Sequence, residues 1–145
     1  MTEPADAPLF CLRLPAELEH LPIFLRHIRQ MAEVAGLVEA RGTRLELAVE
    51  EALVNVFNYA YAGQDHGGAV TCRAVVEADG LIVEIVDDGP PFDPLARPDP
   101  DTALELEQRQ PGGLGVFMIR QLTDEVGYHR EEGRNVLTIR MRKGC

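Results

Sequence analysis

Residues 45–61, LELAVEEALVNVFNYAY, constrain the fold more than any other stretch of the chain. Leu45, Val49, Ala52, Val56 and Ala60 recur at helical spacing, and Leu53, Phe57 and Tyr61 widen the apolar surface around one side. This is the pattern of a buried helix. Glu51, Asn55 and Asn58 interrupt it. At ~100° per residue they project within roughly 60° of one another, so a carboxylate and two carboxamides form one polar stripe. Such a stripe either bonds nearby backbone or faces something polar that the helix itself does not supply.

The bulk properties limit what that can be. With 145 residues, 46% hydrophobic and 26% charged, the chain is expected to be one globular domain spanning 1–145. The net charge of −10 and pI near 4.8 speak against nucleic acid, because phosphate backbones are held by clustered Lys and Arg, and the sequence has no such cluster. The first residues, MTEPADAPLF, lack a basic leader, and no apolar run approaches the ~20 residues that span a bilayer. The expectation is a cytoplasmic protein without membrane contact. Cys11, Cys72 and Cys145 form no CxxC pair, and His20, His27, His66 and His129 show no metal spacing, so neither a disulfide framework nor a zinc site is indicated.

A first strand is expected in PLFCLRLP, then helical periodicity over 16–37 through Leu18, Leu21, Leu25, Ile28 and Met31, with Pro22 beginning the main helix. The helix of the polar stripe starts near residue 43 and ends before the turn AGQDHGG. AVTCRAVVE and LIVEIVDDG read as antiparallel strands joined by an Asp-Gly type hairpin at ADG. A third helix follows at about 114–125, then strands EVGYHRE and NVLTIRMRK around the turn EGR. Helices grouped around antiparallel hairpins predict an α+β two-layer sandwich, a mostly antiparallel sheet with helices on one face, and disfavour a doubly wound fold.

Two glycine segments stand out. In VDDGPPF a strand ends on Asp87, Asp88 and Gly89, and in PGGLGVFMIRQL three glycines in four positions open a helix. Glycine lets backbone N–H groups approach an anion closely, and a helix N-terminus adds partial positive charge. Each segment alone is equally the mark of a turn, and neither fits a P-loop or a dinucleotide-binding GxGxxG unit. Between them the stretch 90–111, rich in proline and charge, is long for a compact domain and has the length of a functional loop.

Taken in order, EEALVNVFNYAY, VDDGPPFDP and GGLGVFMIRQLTDEV resemble the N box and two glycine boxes of the GHKL (Bergerat-fold) ATP-binding superfamily. The resemblance is nearest to its small bacterial branch, the anti-sigma-factor serine kinases or switch kinases, and it covers nearly the whole chain. It implies ATP and Mg²⁺ as ligands. Asn55 matches the family's magnesium ligand, an amide oxygen suited to a hard cation, and Glu51 matches the catalytic glutamate that accepts the proton of an attacking hydroxyl. Asp87 matches the aspartate that takes the adenine amino group, and Gly89 lets the chain pass beneath the base. Asn58 and Phe92 complete that side of the nucleotide pocket. Gly113 and Gly115 would wrap the phosphates, with Leu114 between them also at the nucleotide and Gly112 loosening the hinge, under a lid of about 95–111.

The sequence departs from the family pattern at one place that bears on chemistry. Many relatives carry a basic residue just before the second glycine box, where this chain has Gln110 and Pro111; Arg109 is the nearest cation. Two functions follow from the resemblance. The first is a kinase that phosphorylates a serine of a STAS-type anti-anti-sigma protein. The second is an ATP-dependent module that sequesters a sigma factor without turnover. The family also implies a homodimer. A sensor histidine kinase is disfavoured, since no phosphoacceptor hairpin or membrane anchor is evident.

Overall fold

A computed structural model describes residues 9–60, 68–91 and 113–144. In chain order come strand β1 (Leu9–Pro15), a 3-10 turn (Leu18–His20), helix α1 (Leu21–Val34) and helix α2 (Glu39–Asn55), which runs into a π turn (Val56–Ala60). Strands β2 (Ala69–Glu77) and β3 (Gly80–Asp87), helix α3 (Gly113–Leu122), and strands β4 (Glu125–Glu131) and β5 (Arg134–Arg142) follow. The strands form one sheet in the order β1-β2-β3-β5-β4, with every neighbouring pair antiparallel. The predicted α+β architecture holds.

Period-two alternation turns one row of each strand toward the helices: Val70, Cys72 and Ala74 of β2, Leu81, Val83 and Ile85 of β3, Leu137, Ile139 and Met141 of β5. Phe24 and Ile28 of α1, Leu45, Val49 and Leu53 of α2, and Ile119 of α3 close on them. Fully buried side chains of this size each contribute ~1.5–3 kcal/mol. Burial also pushes the Cys72 thiol up to about 12, which leaves it a packing group. No helix among the described residues is long and apolar enough to cross a membrane.

Several boundaries differ from the sequence expectation for local reasons. Pro22 does sit in the first turn of α1, but Leu18 stays in the preceding 3-10 turn, 65% exposed, and the buried face of α1 is centred on Phe24, Ile28 and Ala32. Helix α2 starts at Glu39, earlier than residue 43, because Val38 is already extended at its N-cap. Helix α3 stops at Leu122, where the Thr123 hydroxyl bonds back to the carbonyl of Ile119. The β2–β3 hairpin exists, with Ala78 and Asp79 between the paired Glu77 and Gly80, yet Gly80 does not take a positive φ. It is a strand residue, and a Cβ there would strike the carbonyl oxygen of Met141 on β5. The β4–β5 turn does use the left-handed region, with Glu132 at φ 49° and Gly133 at φ 78°.

Candidate functional site

Helices α2 and α3 lie side by side and antiparallel. Arg41 Nη2 donates to Asp124 Oδ2 at 2.5 Å and Arg44 Nη2 donates to the carbonyl of Gln121 at 3.2 Å, so the start of α2 is tied to the end of α3. Gly113 precedes Gln121 by eight residues, ~12 Å along a helix. The opening of α3 therefore lies toward the C-terminal half of α2, the half that carries Glu51 and Asn55. Arg41 Nε also donates to the carbonyl of Arg142 at 2.8 Å, where β5 ends beside the start of β3. Helix α2 is ~25 Å long, and at the end of the strands away from that contact Asp87 of β3 pairs with Asn135 of β5.

Glu51 and Asn55 are half-buried, one helical turn apart, and neither side chain makes a hydrogen bond among the described residues. Among the described residues the plain alternative for this stripe, local bonding to backbone, does not occur at these two positions. Burial, and then the neighbouring Glu50 carboxylate, hold the Glu51 carboxyl above the ordinary glutamate value. Asn58 is different. The helix widens into the π turn directly after Asn55, and Asn58 is exposed on it, so a stripe extrapolated at α-helical pitch does not carry through to this residue.

Asp87, only 6% exposed, ends β3 on the helix-facing side of the sheet. Its Oδ1 accepts the Gly89 N–H at 2.9 Å, the local bond of an Asx turn, and also the Asn135 Nδ2–H at 2.9 Å. Oδ2 receives no hydrogen bond among the described residues. Burial raises the Asp87 carboxyl above its ordinary value, while the bonds from Asn135 and Gly89 work in the opposite direction. Asn135, 4% exposed, is the hub of a network that sequence reasoning missed. Its Oδ1 accepts the Tyr128 hydroxyl at 2.5 Å and Arg130 Nη1 at 3.1 Å, and its Nδ2 also donates to the carbonyl of Pro90 at 2.9 Å. Arg130 Nη1 donates to the carbonyl of Gly89 at 2.7 Å. The terminal hairpin thus holds both Asp87 and the Gly89–Pro90 bend. The available signal was Asn135 itself, a polar residue in step with the inward row of Leu137, Ile139 and Met141.

Gly113, Leu114 and Gly115 form the first turn of α3. Phe92, Arg109, Gly112 and the expected lid at 95–111 lie outside the described residues. Glu17, Glu19 and His20 bring three possible ligand atoms within 4.8 Å of one another on the surface, although the sequence shows no metal spacing there. His20 Nδ1 lies 2.9 Å from the carbonyl of Pro15.

A buried aspartate at a strand end, a Glu–Asn turn on a core helix and a glycine-opened helix packed along it are the framework of a nucleotide-binding ATPase domain. Residues 14–141 match the profile of the histidine kinase-like ATPase domain, and the chain belongs to that family. It is related to RsbW-type anti-sigma-factor serine kinases, as the three boxes imply. It is 31% identical to the serine-protein kinase RsbW of Listeria monocytogenes over 130 residues, 87% of this chain and 82% of that one. To RsbW of Bacillus pumilus it is 31% identical over 148 residues, 99% and 88% of the two chains. The crystal structure of the RsbU and RsbW domains of Rv1364c from Mycobacterium tuberculosis shares the fold at a TM-score of 0.66 and 17% identity, over 93% of this chain and 32% of that one.

Proposed function

We propose that this chain binds Mg-ATP at the end of the molecule defined by Glu51, Asn55, Asp87 and the start of α3, and phosphorylates a serine of a STAS-type anti-anti-sigma protein. The reading is carried by the three motifs standing in the family's order, in a chain that belongs to the histidine kinase-like ATPase family and whose relatives are named serine-protein kinases. The Oδ2 of buried Asp87, which receives no hydrogen bond among the described residues, suits the adenine amino group, an N–H donor that needs an acceptor. Backbone N–H groups of Gly113, Leu114 and Gly115 suit the phosphates, as at other helix N-termini. Phe92, Gly112, Asn58 and Arg109 are assigned supporting contacts, and 95–111 the lid.

The half-buried amide of Asn55, without a hydrogen bond among the described residues, fits a hard cation, and a magnesium ion held there would neutralise charge on the phosphates. Glu51, one turn away, takes the proton of the attacking serine. The serine Oγ–P bond forms as the bond to the bridging oxygen of ATP breaks, ADP leaves, and the proton ends on Glu51. A carboxyl held above its ordinary value is suited to accepting it.

One feature favours a second reading. Gln110 and Pro111 stand where a cation precedes the second glycine box in many relatives, which suits a module that binds ATP and captures a sigma factor or STAS partner without turnover. Labelled ATP with a STAS-domain protein of the same genome separates the two. A kinase transfers label to serine, and Glu51→Gln lowers transfer by ~10²-fold or more with ATP affinity largely kept. An ATP-dependent complex without transfer gives the binding module instead. ATP affinity that Asn55→Ala leaves unchanged in magnesium sinks the site assignment itself.

A further inference from the structure

On the outer side of the helix layer, α1 and α2 enclose a groove of about 650 Å³, within the ~300–1,000 Å³ of ligand-sized pockets. Its charged lining is Glu33, Glu39, Glu46 and Glu50, with Arg29 the one cationic residue among the lining groups. Arg29 is already engaged, its Nη2 2.6 Å from Glu46 Oε1 and its Nε 3.1 Å from Oε2. Glu33, Glu39 and Glu50 have no ion pair among the described residues. The apolar lining consists of Ala32, Leu37, Gly42 and Leu47. Gly42 faces Ala32 across the helix crossing, and Leu47 is 43% exposed inside the acidic rim.

We infer that this groove docks a cationic, amphipathic segment of the protein substrate, an assignment of the occupant that rests on the kinase reading above. The lining carries a surplus of carboxylates around an apolar floor, the complement of a segment that presents Lys or Arg beside an apolar side chain. A second copy of the chain seated face to face would set carboxylate against carboxylate, and nucleic acid is repelled for the same reason. Position adds to charge. Glu46 and Glu50 lie on successive turns of α2, and Glu50 adjoins Glu51, so a segment laid along the groove leads toward the end of α2 that carries the candidate base.

Spectra of the uniformly labelled full chain, titrated with a short amphipathic leucine–lysine peptide and a leucine–glutamate control, test this directly. The lysine peptide is expected to move the amide signals of Arg29, Glu33, Gly42, Glu46 and Glu50 as one contiguous set. Glu33→Lys should weaken that binding by ~10-fold, and Leu47→Ser by several-fold, with Mg-ATP affinity unchanged in both. With an unphosphorylated STAS partner as substrate, Glu33→Lys should raise KM by ~10-fold and keep kcat. Shifts scattered over the acidic surface, equal binding of the glutamate control, unaltered affinity in both variants, or a chain that self-associates through this face would each overturn the inference. Its failure is separable from that of the kinase reading, because ATP titration of the wild-type chain reports on the nucleotide site alone.

Discussion

Asn135 and Asp87, 48 residues apart in the chain, share a hydrogen bond of 2.9 Å between two buried side chains at the end of neighbouring strands. The bond occupies Oδ1 of the carboxylate together with the Gly89 N–H, and Oδ2 receives no hydrogen bond among the described residues. Asn135→Ala should therefore act on both stability and function. It strips partners from Asp87, Tyr128 and Arg130 at once and is expected to cost about 1–3 kcal/mol in denaturant unfolding. Calorimetry should show ADP affinity lowered by ~10-fold or more. Retained affinity in a destabilised variant would remove Asn135 from the nucleotide site.

Asp87 itself carries a pH prediction. Its carboxyl is raised in the folded state, burial being the first cause, so the folded chain holds its proton more tightly than the unfolded chain does. Stability contributed by the protonated form is present below the unfolded value of ~3.9 and is lost as pH rises through the folded value. Asp87→Asn keeps an oxygen for Gly89 and Asn135 but cannot ionise. It should unfold at higher temperature than wild type at neutral pH, with the difference vanishing in acid, while nucleotide binding falls.

Asp124 should behave in the opposite sense. Hydrogen bonds from the Arg41 guanidinium and the Arg142 N–H hold its carboxyl below the ordinary value, so its contribution is present above ~3.9 and is lost as pH falls through the folded value. Asp124→Ala is expected to cost about 1–3 kcal/mol at neutral pH, less as the pH drops. Because this clamp joins the start of α2 to the end of α3, the same variant should loosen the far ends of both helices. Faster amide exchange at the start of α3 is the measurement, and unchanged exchange there would confine Asp124 to a local role.

Two backbone positions, one in a turn and one in a strand, give contrasting stability tests. Glu132 sits at φ 49°, a region that costs ordinary residues ~1–2 kcal/mol, and its exposed pair with Arg134 returns little. Glu132→Asn, completing an Asn-Gly turn, should stabilise the chain by up to ~1 kcal/mol. Gly80→Ala should do the reverse by about 2 kcal/mol or more, since its Cβ meets the Met141 carbonyl, a backbone atom of the neighbouring strand. Thermal melts of the two variants decide both.

The elements were legible because their signals are local. The alternation of AVTCRAVVE and EVGYHRE predicted β2 and β4 with the bounds observed, and the apolar face of 45–61 appears as Leu45, Val49, Ala52, Leu53 and Val56 in the core. The motif order alone also led to the histidine kinase-like ATPase family. The reading was weaker where neighbours along the chain do not set the geometry. In α1 the periodic series placed Leu18, which is 65% exposed, beside Ile28 and left out Phe24, which is fully buried, because an apolar count does not register where the packed neighbours lie.

The sequence by itself determined the strands, the helices, the family and the residues of the three boxes, since periodicity, glycine placement and motif order are properties of short segments. Tertiary structure decided what those residues meet. The register that sets Asn135 against Asp87, the close approach that requires glycine at position 80, and the π turn that leaves Asn58 exposed come from packing between distant segments or from a local break in helical pitch. The Arg41–Asp124 clamp belongs with them, for it fixes two helices antiparallel through residues 83 positions apart. Contacts of that range depend on how a whole sheet and its helix layer close around one core, which no local pattern records.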